Sequence, residues 1–147
     1  MEFSFSRNIN TVLHSKLLVK HNLKYWLPPT LWMITIHLAS GVPGDELPNY
    51  SLPHLDKLIH IGVFGLLCLL LTRAFNAGNQ RGLSQSILFA CLVTICYGAI
   101  DEWRQTFTDG RHMDILDLAA DAFGAVCCYG LLILKKMNPE IIRWATT

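Results

Sequence analysis

The sequence predicts an all-α polytopic membrane protein, a bundle of four transmembrane helices with both termini cytoplasmic. Three observations lead there. Of 147 residues, 52% are hydrophobic and 16% charged, with a mean hydropathy of +0.34, whereas a soluble domain carries about 25% charged residues. Four segments approach the roughly 20 apolar residues that a spanning helix needs. Basic and acidic residues fall on opposite sides of that segmentation.

The length suits a single domain. We divide it into a basic cytoplasmic tail over 1–24, a four-helix transmembrane domain over 25–134 and a cytoplasmic tail over 135–147. The first span, Tyr25 to Ser40, is the shortest and carries Pro28-Pro29. An opening turn tolerates prolines, because its N–H groups have no partner to lose. Ala39-Ser40-Gly41 after an apolar stretch also resembles a signal-peptide cleavage site. The long basic region before it and Pro43 just beyond favour an uncleaved anchor. His37, alone in this span, reads as a hydrogen-bonded packing residue, and Trp26, Trp32 and Trp103 suit an interfacial belt or helix packing.

The second span runs from Leu55 to Thr72. Pro53 fits the first helical position, which puts Asp56 in the opening turn, where the helix dipole favours a carboxylate. Asp56 and His60 are four apart and share a face, with His60 about a turn inside the apolar region. Lys57 reads equally as an interfacial snorkeler.

The third span, Leu83 to Ile100, ends in Asp101-Glu102-Trp103-Arg104-Gln105. Acids at a helix C-terminus oppose the dipole and call for cations. Glu102 is therefore expected within ion-pair distance of Lys57, His60, Arg104 or Arg111. Gly98, one turn earlier, leaves room for a neighbour, and Gln105 follows Glu102 on the same side.

Thr108-Asp109-Gly110 signals a turn, with Arg111 after it. The fourth span runs from Leu118 to Leu134. Asp114, Asp117 and Asp121 recur at helical spacing, and Gly124 and Cys128 continue their stripe inward. At least one of Asp114 and Asp117 reads as a helix cap. Asp121 lies about a turn inside the apolar stretch, where an acid costs up to roughly 2.5–3.5 kcal/mol at mid-membrane and less near the interface. It therefore needs a partner.

Charge sets the orientation. The two tails and the 73–81 connection hold nine basic residues against Glu2 and Glu140, leaving +7. The other two connections and the span ends beside them hold Lys57, Arg104 and Arg111 against nine acids, leaving −6. Lys and Arg stay in the cytoplasm, so the acidic connections face outward. A net charge of +1 gives no reason to expect nucleic acid. All five cysteines lie in apolar runs without metal-ligand spacing and are expected to be free thiols.

Nine polar residues thus gather at the outer ends of three spans: Asp56, Lys57, His60, Glu102, Gln105, Arg111, Asp114, Asp117 and Asp121. Here the chain resembles the VanZ-like family of small bacterial membrane proteins. The resemblance rests on Asp56-Lys57-x-x-His60, Glu102-x-x-Gln105, Gly110-Arg111, Asp117 and Gly124, and covers about Asp56 to Gly130. The family tends to carry a small hydroxyl residue where Asp114 stands and an asparagine where Asp121 stands, so this site is the more acidic. The resemblance implies a multi-pass protein of the bacterial plasma (inner) membrane with a cell-envelope role at its outer face. The family is named for a protein implicated in low-level resistance to the glycopeptide teicoplanin, and no mechanism comes with the name.

Three functions compete. The first is engagement of an envelope component, such as a lipid-linked precursor, or of a glycopeptide antibiotic. Lys57 and Arg111 would meet an anionic headgroup, and Glu102 and Gln105 would orient sugar or amide groups. The second is an enzyme acting on a lipid-linked precursor, with His60 as general base beside Glu102. Its metal-dependent form would gather Asp56, His60, Glu102, Asp117 and Asp121 around Mg²⁺ or Zn²⁺. No protease, phosphate-loop or nucleophile-elbow motif accompanies either form, so no cofactor and no metal is assigned. The third is a polar network that only fixes helix packing. Intramembrane polar pairs contribute about 0.6 kcal/mol on average, which is little return for so many charges. Beyond the bilayer itself, no protein partner can be named.

Overall fold

In the computed structural model the described residues are 23–46, 54–77 and 82–135, and among them every regular element is helical. Helix α1 covers residues 23–40 and leads through a turn to a short 3₁₀ segment, Gly44–Glu46. Three long helices follow: α2 (Leu55–Ala77), α3 (Leu83–Gln105) and α4 (Ile115–Lys135). The last three are long and apolar enough to cross a membrane.

The helices outrun the apolar segments that announce them. Helix α2 continues five residues past Thr72, and α3 runs through its acidic end to Gln105. Hydropathy follows the side chains, whereas a helix ends where its backbone ladder ends. At the start of α2, His54 adopts a left-handed backbone (φ +62°) and the helix opens at Leu55. Pro53, expected at the first helical position, lies outside the described residues. Asp56 stays in the opening turn regardless. Asp114 caps α4: its Oδ1 accepts the Leu116 N–H at 2.8 Å, and its carbonyl accepts the N–H groups of Asp117 and Leu118.

Helix α1 departs further from expectation. It is already helical at residue 23, so Pro28 and Pro29 sit inside it rather than in its opening turn. Tertiary contacts hold the preceding turn in place. Trp26 packs edge-on against Phe75 of α2 with ring centroids 5.2 Å apart, and the Arg73 guanidinium lies 5.3 Å from the Tyr25 ring. Further along, the Trp32 indole donates to the Val63 carbonyl at 3.0 Å, and the Tyr97 hydroxyl donates to the Met33 carbonyl at 2.7 Å. The His37 side chain is exposed; its backbone carbonyl makes the packing contact, accepting from Arg104 at 2.8 Å.

The core joins Ile36 of α1, Phe64, Leu67, Cys68 and Leu71 of α2, Ala90 and Cys91 of α3, and Ala125 of α4. Glycines set the α2–α4 distance. A Cβ on Gly124 would lie 2.4 Å from the Ile61 carbonyl oxygen and 3.1 Å from the Gly65 nitrogen, so the two backbones touch. Outward faces carry Leu58, Leu66, Leu92, Phe123, Val126 and Leu131, an apolar surface suited to lipid tails. All five cysteines are free thiols.

Candidate functional site

Successive helices run in opposite directions, so the C-terminal ends of α1 and α3 meet the N-terminal ends of α2 and α4. The 41–46 and 106–114 connections cover that end. They are clipped together backbone to backbone: the Gly44 N–H donates to the Asp109 carbonyl at 3.0 Å. Gly110 takes a left-handed conformation (φ +68°), and a Cβ on Gly44 would fall 2.1 Å from the Gly110 oxygen. A larger residue at Gly44 would have to push the 106–114 connection away, and one at Gly110 would be strained by the left-handed backbone.

Beneath this clip are three polar groupings. In the first, Lys57 of α2 reaches across to α4. Its ammonium lies 2.5 Å from Asp114 Oδ2, 2.5 Å from Asp117 Oδ1 and 3.2 Å from Asp56. One cation thus answers three carboxylates. The hydrogen bond from Lys57, followed by that from the Leu116 N–H, holds the Asp114 carboxyl below the usual carboxylate range. Lys57 is therefore occupied internally by these three carboxylates.

The second grouping pairs His60 with Asp121. His60 Nδ1 lies 2.8 Å from Asp121 Oδ1, and the opposite ring nitrogen lies 3.9 Å from Asp117 Oδ1. Asp121 is fully buried, and Gly98 of α3 makes room for it: a Cβ there would come within 2.9 Å of Asp121 Oδ2. The space left by Gly98 admits this carboxylate, with Phe64 beside it, rather than the backbone of another helix.

The third grouping is a relay. Arg111 donates through Nε and Nη2 to Gln105 Oε1, at 3.1 and 2.6 Å. Gln105 Nε2 donates to Glu102 Oε1 at 3.0 Å, and the Asp114 backbone N–H donates to Glu102 Oε2 at 3.1 Å. Glu102 and Gln105 are both buried. Among the described residues no cation lies within ion-pair distance of Glu102, contrary to expectation. Each candidate is engaged elsewhere or falls short: Lys57 with the aspartates, Arg111 with Gln105, Arg104 with α1, and His60, which is near Glu102 (within 4.8 Å) but outside ion-pair distance.

All nine residues singled out in the sequence thus lie at one end of the bundle, each touching at least one other. A neighbouring group was not foreseen. Ser40 donates to Asp101 Oδ1 at 2.7 Å, while Arg104 Nη2 bonds the Ser40 hydroxyl and lies 3.3 Å from Asp101 Oδ1. The Asp101–Arg104 spacing is readable in sequence; that Ser40, sixty-one residues earlier, completes the group is not.

A family model described as VanZ/LLP1 matches residues 3–136. The chain belongs to the VanZ/LLP1 family. No curated protein and no solved structure matches it. The match takes in all four helices and every residue of the three groupings, so the polar end belongs to the VanZ/LLP1 region of the chain.

Proposed function

We propose that this VanZ-like protein spans the bacterial plasma membrane four times, with both termini inside. At its outer face it engages an envelope component bearing an anionic group, a lipid-linked precursor or a glycopeptide of the teicoplanin type. The fourth span is α1, whose polar Lys24, His37 and Ser40 make it less apolar than the others. The reading is carried by one observation: Arg111 is aimed but not neutralised. Two of its nitrogens are fixed on an amide oxygen, and among the described residues no carboxylate lies within ion-pair distance. A planar guanidinium oriented in this way is suited to a phosphate or carboxylate.

Orientation is tested with reporter fusions. Fusions after Lys136 should read as cytoplasmic and fusions at Tyr50 or Asp109 as external; an external C-terminus would overturn the four-span reading.

The site is tested by complementation of glycopeptide or envelope-stress tolerance, with membrane abundance measured in parallel. Arg111→Lys removes the two-pronged grip on Gln105 and should weaken engagement by about 1.5–3 kcal/mol, roughly 10- to 100-fold. Glu102→Gln replaces one of two accepting oxygens with a donor facing either Gln105 or the Asp114 N–H. Turning Gln105 around to answer it would release Arg111, so this variant should fail as well. Full activity of both variants, or loss only in proportion to lost protein, would make these residues scaffold.

The enzymatic alternative draws on the His60–Asp121 pair. A carboxylate on Nδ1 fixes the imidazole and leaves Nε2 to take a proton, the arrangement of a general base. Turnover of a lipid-linked precursor by the purified protein, lost in His60→Gln, would favour it over binding alone.

A further inference from the structure

The polar end carries more buried negative charge than its cations answer. Lys57 is shared among Asp56, Asp114 and Asp117, and Arg111, whose charge is not cancelled, reaches Glu102 only through the Gln105 amide. Glu102 and Asp121, both fully buried, are left with His60 as their nearest titratable base. One imidazolium cannot neutralise two carboxylates. Asp121 Oδ2 is moreover sealed from solvent with no hydrogen-bond partner. An acceptor in that position is costly unless a positive charge stands nearby.

The same residues have ligand spacing. One ligand atom from each of His60, Glu102 and Asp117 lies within 4.8 Å of the other two. These atoms come from α2, α3 and α4, so the helices themselves hold them in place. The histidine is oriented for ligation: Nδ1 faces Asp121 at 2.8 Å, leaving the Nε2 lone pair turned toward Asp117. Carboxylate on one imidazole nitrogen and metal on the other is the usual outer-partner arrangement of metal-binding histidines. Lys57 holds Asp117 as a hydrogen-bonded outer partner holds a ligating carboxylate, and Gln105 and the Asp114 N–H do the same for Glu102.

We infer that His60, Glu102 and Asp117 form a binding site for one divalent transition-metal cation, with Asp121 as the positioning residue behind His60. One imidazole and two carboxylates suit Zn²⁺ or Mn²⁺; Mg²⁺ and Ca²⁺ prefer oxygen alone. Ligands at about 2.0–2.2 Å from zinc stand roughly 3.3–3.5 Å apart, so binding draws the three groups together by rotation of their side chains. Three protein ligands leave a coordination position open. The inference does not depend on what the outer face engages, because it concerns an ion that would bind with no envelope molecule present.

The test uses the full chain without a histidine tag, purified in detergent, stripped with chelator and titrated separately with Zn²⁺, Mn²⁺, Mg²⁺ and Ca²⁺. Calorimetry and elemental analysis after desalting should show one equivalent of Zn²⁺ or Mn²⁺, with Mg²⁺ and Ca²⁺ at least tenfold weaker. His60→Gln and Asp117→Asn should abolish the tight equivalent, and Asp121→Asn should weaken it about 10- to 100-fold while leaving the stoichiometry at one. Should a variant fail to fold, the wild-type chain decides by itself. Co²⁺ substitution should give a nitrogen–oxygen ligand spectrum without thiolate charge-transfer absorption. Absence of a stoichiometric ion, a thiolate spectrum, or equal binding by wild type and a folded His60→Gln variant would each overturn the inference.

Discussion

Lys57→Met should be among the most destabilising single substitutions at the polar end. It removes the one cation shared by Asp56, Asp114 and Asp117 while leaving those carboxylates in place. Taking one partner from a buried ion pair costs about 3–5 kcal/mol. The 42% exposure of the Asp114 side chain moves the expectation toward the lower end of that range. Denaturation in mixed micelles should show the loss, and Lys57→Met with Asp117→Asn should recover part of it. The acid limb should change too. In the native protein the Lys57 hydrogen bond depresses the Asp114 pKa. Its stabilisation is therefore fully present above the unfolded value near 3.9 and disappears as pH falls through the lower folded value. In Lys57→Met that contribution should be absent. An unchanged unfolding midpoint and acid limb would mean that these contacts contribute nothing.

Gly124→Val is the second large effect. The first added carbon would stand 2.4 Å from the Ile61 carbonyl oxygen, which is backbone and cannot rotate away. Relief requires α4 to move off α2. Overpacking of this kind typically costs about 1–3 kcal/mol, and a rigid backbone obstacle puts the cost at or above the top of that range. Because α4 carries Asp117 and Asp121, the shift should also part His60 from Asp121. Loss of folded protein in the membrane, or of a cross-link engineered between the α2 and α4 N-termini, would register it. Gly62→Ala is the control, since a Cβ there meets nothing within 4 Å.

Much of this arrangement was legible in the sequence, for identifiable reasons. Apolar length located the three long helices, and the Asp56/His60 and Asp114/Asp117/Asp121 spacings located one face on each of two of them. Charged groups in apolar surroundings must find partners, and among the described residues every acid lies at one end. Partner choice was not legible. Glu102 was matched with a cation, yet Arg111 reached it only through Gln105, a decision made by side-chain length and loop geometry. The proline pair misled because local backbone preference favours an opening turn, while packing of Tyr25 and Trp26 against α2 sustains the helix ahead of it. Ser40 was invisible because a serine at the end of an apolar stretch has no periodicity to reveal it.

Gln105 has a consequence of its own. A guanidinium can only donate and a carboxylate can only accept, so placed together they would lock as a compact pair with their fields cancelled. The amide between them accepts on one side and donates on the other. Its orientation is therefore dictated by its neighbours, with oxygen toward Arg111 and nitrogen toward Glu102. The ion pair is held open by the length of an amide, positive outward and negative inward. What results is a fixed dipole whose positive pole no carboxylate cancels among the described residues.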